Sequence, residues 1–249
     1  MEPVQYWINT PVNIFILFLT GMDHLLDNPV WNALLSGNKN LAMGNEQSKC
    51  FPAEVAPFTG LEEINERNFK SLSELIPSGR IISIVSPGNA EVPDPWKKVH
   101  QVKVLQMIYT GAAVANCNNH EIIALTEQHV QQMLSLTKLT NPGPFYQRTI
   151  AFGNYNGIFK AGQLVAMAGQ RMHAGEFLEI SAVCTHPDHI GNGYARSVIL
   201  HVVQLIRAQS RVPFLHVLTD NTAAIRLYTS LGFLNRREMI VTIIKKKDE

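Results

Sequence analysis

Cysteine is scarce in this chain: Cys50, Cys117 and Cys184 are three, scattered and without a metal-binding spacing. That excludes a disulfide framework and a closed zinc set; free thiols in a reducing compartment, hence a cytoplasmic location, are expected. A surplus of charge is lacking too. The formal net charge is +1, so electrostatics gives no case for nucleic acid or an anionic membrane as partner. Long apolar runs are also missing. The stretch 12–19 contains Asn13 and falls far short of the ~20 apolar residues that a bilayer span needs. Glu2 precedes it and no Lys or Arg does, so it does not read as a secretory signal. From Met22 onward the sequence reads like a soluble N-terminus. Residues 1–21 are therefore expected to be a weakly ordered extension or an over-extended translation start.

What is present is enough apolar residue, 46% of 249, for one large domain or two small ones. In the first part, Asp27-Asn28-Pro29 looks like a helix start, and Phe69, Leu72, Leu75 and Ile76 have helical spacing. Residues 80–85 and 99–109 read as strands, and no catalytic spacing is evident here. The small, polar stretch 111–119 marks a domain boundary, giving domains 1–118 and 119–249. Beyond it the elements crowd together. A helix is expected over 127–139, strands over 156–160, 164–172 and 177–185, and a long helix over 194–209. A strand over 214–219, a helix over 222–230 and a strand over 239–244 complete the chain.

Two segments carry chemistry. Val183-Cys184-Thr185-His186-Pro187-Asp188-His189-Ile190-Gly191-Asn192-Gly193-Tyr194-Ala195 reads as a strand, a tight glycine loop and a helix start. Backbone N–H groups converging at a helix N-terminus suit a pyrophosphate, although glycine loops also precede helices for purely steric reasons. Downstream, Asn221 and Tyr228 are two helical turns apart and share a side of the 222–230 helix. Tyr228 can present its ring to an apolar groove and its hydroxyl to a reacting group, or it can be an ordinary core residue.

The order strand, glycine loop, helix, strand, then Asn-x-x-Ala-x-x-x-Tyr-x-x-x-Gly-Phe, resembles the GNAT superfamily of N-acetyltransferases over residues 120–249. Glu179-Ile180-Ser181-Ala182-Val183-Cys184-Thr185-His186-Pro187 is similar to its FR47-like branch in particular. Residues 26–34 also resemble the opening of two-part FR47-like bacterial proteins, whose first half is a degenerate partner domain. The resemblance implies an α/β fold: a GNAT-type mixed, twisted sheet flanked by helices and split to admit a cofactor, preceded by a smaller α+β domain. It implies acetyl-coenzyme A (acetyl-CoA) as co-substrate, no metal, and a small-molecule amine or amino-acid-like acceptor lodged against residues 139–147 and part of the first half. Ile190, Gly191, Asn192, Gly193, Tyr194 and Ala195 would hold the pyrophosphate. Val183 and Thr185 would pair with the pantetheine arm as an added strand does, and Asn221 would contact the arm from the facing element. Ile190 stands where the family has Arg or Gln, which leaves the backbone cradle and removes a polar side chain.

The chemistry needs a proton acceptor, because an alkyl ammonium with pKa ~10.4 is mostly protonated at neutral pH. Uniform strand alternation puts Glu179, Ser181, Val183 and Thr185 on one face and makes Glu179 the candidate base, with Glu176 a second. Glu179 can equally be a charged residue on a wet strand face. A strand N–H near Val183 would polarise the thioester oxygen, and Tyr228 would protonate the leaving thiolate. The same alternation places Cys184 opposite Glu179, and with His186 and His189 it matches neither a metal site nor a Cys–His pair. Two other readings stand beside this one. A non-catalytic acyl-CoA sensor would keep the cradle without turnover. A dinucleotide oxidoreductase would need an acid ~20 residues past the glycines, where Arg211-Val212-Pro213 stands instead.

Overall fold

The computed structural model describes residues 24–111 and 120–247. The proposed extension 1–21, Cys117 and the boundary stretch 112–119 lie outside the described residues. In chain order the helices are α1 (Pro29–Leu35), α2 (Glu66–Leu75), α3 (Val130–Thr140), α4 (Tyr194–Ala208) and α5 (Thr222–Ser230). Strands β1 (Met43–Gly44), β2 (Ser48–Cys50) and β3 (Thr59–Leu61) form a small antiparallel sheet. The main sheet has eight strands. These are β4 (Ile81–Ser86), β5 (Trp96–Tyr109), β6 (Ile123–Ala124), β7 (Asn156–Lys160), β8 (Gln163–Ala174), β9 (Phe177–Thr185), β10 (Val212–Leu218) and β11 (Phe233–Lys246). None of the described helices is long and apolar enough to cross a membrane.

The main sheet runs β4-β11-β5-β10-β9-β8-β7-β6, with β9 and β10 parallel and the other pairs antiparallel. This is the expected mixed sheet, and the small sheet precedes it. Its faces follow from strand alternation. Leu178, Ile180, Leu215 and Val217 pack with Val198, Ile199, Val202, Val203 and Ile206 of α4 and Tyr228 of α5. Phe177 and Phe214 pack the other way, against Leu26 and the α1 residues Val30, Ala33 and Leu34. Beside them α3 contributes Met133 and Leu136 to a cluster with Tyr155, Met167 and Cys184.

Strands from both parts of the chain share this sheet: β5 lies between β11 and β10 and pairs with both. β11 is longer than the expected 239–244 because the charged run at 235–238 continues the strand, with a bulge between Asn235 and Arg237. Asn28, expected as a helix cap, donates its side-chain amide to the Leu61 carbonyl at 2.6 Å and makes no cap bond. A chain cut to residues 120–249 would lose β5 and leave facing edges of β10 and β11 unpaired. It should be insoluble or lack a cooperative melt by circular dichroism, and co-expression with residues 1–119 should restore solubility; a cooperative melt of the cut chain would show that its strands close without β5.

Candidate active site

The site begins where two parallel strands part. β10 pairs with β9 only at Val212↔Phe177, Pro213↔Leu178 and Phe214↔Glu179. Beyond that point β10 stays on β5 through Leu218↔Val104, while β9 stays on β8 through Thr185↔Ala166. The β9 edge past Glu179 therefore faces a cleft rather than a strand, and its backbone is open to an extended ligand. Within this stretch Ala182 has φ +52°, and three residue steps from Ser181 to Cys184 face two from Gly169 to Met167. That is a β-bulge, and an extra residue reverses the facing of everything after it.

The bulge overturns the uniform alternation expected for β9. Leu178 and Ile180 face α4, and Val183 packs on that same cluster, whereas Ala182 and Cys184 join the α3 cluster. Glu179, one residue from both Leu178 and Ile180, faces away from α4. Glu179 and Val183 are thus on opposite faces, and Glu179 shares its face with Cys184. Burial pushes the Cys184 thiol up to about 12, which disfavours the thiolate.

Past β9 the chain makes a 3₁₀ turn, Pro187–His189, and enters the glycine loop. Gly191 and Gly193 adopt φ +87° and +76°, conformations that L side chains rarely take, and a Cβ at either position would meet no atom within 4 Å. Gly193 caps α4, whose first helical bond is Ser197 N–H to the Gly193 carbonyl at 3.1 Å. The amides before Ser197 have no helical acceptor, the arrangement in which a helix N-terminus suits an anion. The Asn192 side chain closes the loop onto the His189 carbonyl at 3.0 Å. Tyr194 is buried, with Lys160 Nζ 5.6 Å from its ring centroid, and Ile190 is 71% exposed. Thr185 Oγ1 is buried with no hydrogen-bond partner among the described residues.

From the facing element, Asn221 caps α5 by accepting from Ala224 N–H at 3.1 Å. Tyr228 lies in the apolar cluster that also holds Tyr194 and against which Val183 packs. Its ring stands edge-on to Phe233, centroids 5.9 Å apart, and burial raises its hydroxyl pKa. Two grooves flank α3, of about 280 and about 540 Å³. Neither includes the glycine loop or the β9 edge; the larger is lined by Asn141, Gly143, Pro144, Phe145 and Tyr146, within the stretch expected to wall the acceptor.

Glu179 itself is fully buried. Arg171 Nε and Nη2 donate to its two oxygens at 2.7 and 2.6 Å, and His216 Nδ1 lies 2.8 Å from Oε1. The Gln106 side-chain nitrogen donates to the Leu26 carbonyl at 2.9 Å, and its oxygen accepts from Arg236 at 2.7 Å. Gln106 therefore donates to His216 Nε2 as well, at 3.0 Å, so His216 carries its proton on Nδ1 and gives it to Glu179. Arg236 and Arg237 close the row on Asp27, at 2.7 and 2.8 Å. Burial alone would raise the Glu179 pKa; the Arg171 charge and the Arg171 and His216 hydrogen bonds win and hold it down at about 2. This geometry does not suit the base role expected for Glu179, because its oxygens are engaged away from the face that carries Val183. The sequence signal missed was the charge pattern: Arg171, Glu179, His216 and Arg236 sit in strands otherwise rich in apolar residues.

Glu179→Gln would leave Arg171 buried without its counter-charge, costing about 3–5 kcal/mol of stability. Because the folded pKa of Glu179 is depressed, its contribution is present above about pH 4.5 and is lost as pH falls towards about 2. Denaturant melts across that window should show a stability slope in the parent protein that is reduced in the variant; equal slopes would mean that the carboxylate is not the group titrating.

Comparison with known proteins gives the family. Residues 155–241 match the family model described as FR47-like protein. A GNAT-family protein from Novosphingobium aromaticivorans is 34% identical, with 91% of this chain and 100% of that chain covered and a TM-score of 0.84. A GCN5-related N-acetyltransferase from Kribbella flavida has the same fold at 13% identity, covering 90% and 96% of the two chains with a TM-score of 0.64. A GCN5-related N-acetyltransferase-like protein from Streptococcus suis does so at 11% identity, covering 94% and 97% with a TM-score of 0.56. No curated protein matches the chain. The parted strands, the glycine loop and these similarities agree: the chain belongs to the GNAT acetyltransferase family, in its FR47-like branch.

Proposed function

We propose that the protein transfers an acetyl group from acetyl-CoA to a primary amine of a small-molecule, amino-acid-like acceptor in the cytoplasm. The observation that carries this reading is continuity: the open β9 edge leads through one 3₁₀ turn into the left-handed glycines that start α4. An acyl-CoA has the matching shape, an extended amide-bearing arm ending in a pyrophosphate. In this reading the amides of residues 191–195 hold the pyrophosphate, with Ile190 adding no polar contact. Val183 and Thr185 pair with the arm, and the Asn221 NH₂ meets it from across the cleft. Cys50 and Cys184 as buried free thiols accord with a reducing compartment.

The reaction forms a C–N bond and breaks a C–S bond. A strand N–H near Val183 polarises the thioester oxygen as the amine attacks. The amine proton leaves to water rather than directly to Glu179, whose lone pairs are engaged. Tyr228, kept protonated by burial, gives its proton to the departing thiolate and recovers it from solvent.

Calorimetric titration with acetyl-CoA, with NADH as control, tests the co-substrate: saturable binding of the thioester alone is expected, and no binding would sink the proposal. Binding without turnover across a panel of amines would instead favour the sensor reading, to which the apolar Ile190 in the loop points. Gly193→Val forces a branched side chain to φ +76° and should abolish binding in the same titration. Tyr228→Phe should lower kcat about tenfold or more and leave the Kd for acetyl-CoA unchanged. An unaltered kcat would remove the acid role.

A further inference from the structure

One side chain spans the corner from which the cleft opens. His216 lies two residues past Phe214, the last β10 residue that pairs with β9, so its backbone already belongs to the open stretch. Its side chain is nonetheless turned back to the fork: Nδ1 is 2.8 Å from Oε1 of Glu179, the last paired residue of β9. The bond therefore runs diagonally across the point of separation. Continued pairing would, by count from Phe214↔Glu179, have set His216 beside Ser181. The imidazole is 7% exposed and stands edge-on to Phe214, with centroids 5.6 Å apart.

Both ring nitrogens are used. Nε2 accepts from Gln106 on β5, and the Nδ1 N–H donates to Glu179. Arg171 on β8 grips the same carboxylate through Nε and Nη2, so Glu179 is not free to follow a moving partner. His216 thus ties β10 to the strand on its far side and to the strand across the cleft. A ligand arm that adds to the β9 edge as an extra strand needs β10 held off at a set distance. A cleft already held at that width spares the complex a rearrangement, and the saving appears as affinity.

We infer that His216 is a positioning residue for acyl-CoA: acting through Glu179, it holds β10 at the offset from β9 that the pantetheine arm requires. This rests on the acetyl-transfer reading above, which supplies the arm. In this role His216 touches neither the thioester nor the amine. Its effect falls on the affinity for the co-substrate, through the width of the cleft at its origin.

Two substitutions separate the two bonds. His216→Asn puts an amide nitrogen near the Nδ1 position; it keeps a donor for Glu179 and loses the acceptor for Gln106. His216→Gln reaches the Nε2 position; it keeps an acceptor for Gln106 and loses the donor for Glu179. The readout is calorimetric titration with acetyl-CoA well below the Tm of each protein, with Tm recorded alongside. The expected Kd is about tenfold weaker in His216→Gln and within about twofold of the parent value in His216→Asn, while Tm falls in both. His216→Phe, which fills similar volume and makes neither bond, should bind as weakly as His216→Gln and replaces it if that variant does not fold. A parent-like Kd in the variants that lack the Glu179 bond would overturn the inference and leave His216 a packing role. Equal weakening in His216→Asn would overturn it in favour of a general loosening of the sheet. No binding of acetyl-CoA by the parent protein would remove the acetyl-transfer reading, and this inference with it.

Discussion

A single lateral row of polar side chains governs how this sheet is put together. Arg236, Gln106, His216, Glu179 and Arg171 come from β11, β5, β10, β9 and β8, which are five consecutive strands of the order observed. The row has direction. Arg236 donates to Gln106, Gln106 to His216 and His216 to Glu179, while Arg171 donates to Glu179 from the other side. The two runs of donors meet at the carboxylate, the one acceptor-only group among them. Such a row adds little net stability compared with apolar packing, since desolvation offsets most of the attraction. Its effect is on register: a one-residue slip of any contributing strand would turn its polar side chain to the opposite face and strand its partners.

The row also explains where the cleft opens. Glu179 is the last β9 residue paired with β10, and its bond to His216 is a side-chain tie across the point where the backbones separate. Anchored there, the strands diverge from a fixed origin. On β9 the bulge at Ala182 then turns Val183 toward α4, the face on which the glycine loop and Tyr228 are assembled. The first part of the chain takes part through Leu26 and Asp27, which terminate the row, and through β5, which holds β10 and β11 together.

What could be read in the sequence was local. The glycine loop, α4 and α5 are announced by positive-φ glycines, by apolar spacing and by Asn221 at the start of α5, each visible within a few residues. β7 and β9 have the same ends as the strands read from periodicity. What could not be read depends on partners distant in sequence. Alanine carries no signature of positive φ, so the bulge at Ala182 is invisible without β8 alongside. Arg236 and Arg237 fall outside the strand expected over 239–244, and Asp27, which receives them, is 210 residues away from Arg237. Glu179 shows the same limit: a carboxylate in the right stretch of sequence is a base or a structural anion depending on what stands on the two neighbouring strands.

The bulge has a consequence for comparison across the family. Positions correspond by count, but side chains correspond by face, and at Ala182 the two bookkeepings part. A relative whose counterpart of β9 lacks the extra residue, aligned here without a gap, would match outward-facing positions to inward-facing ones on one side of the strand. A pocket residue in one protein would then be paired with a core residue in the other at high apparent similarity. Aligned with the gap at Ala182, the same two strands would agree in facing along their whole length, and differences between them would report on ligand rather than on frame.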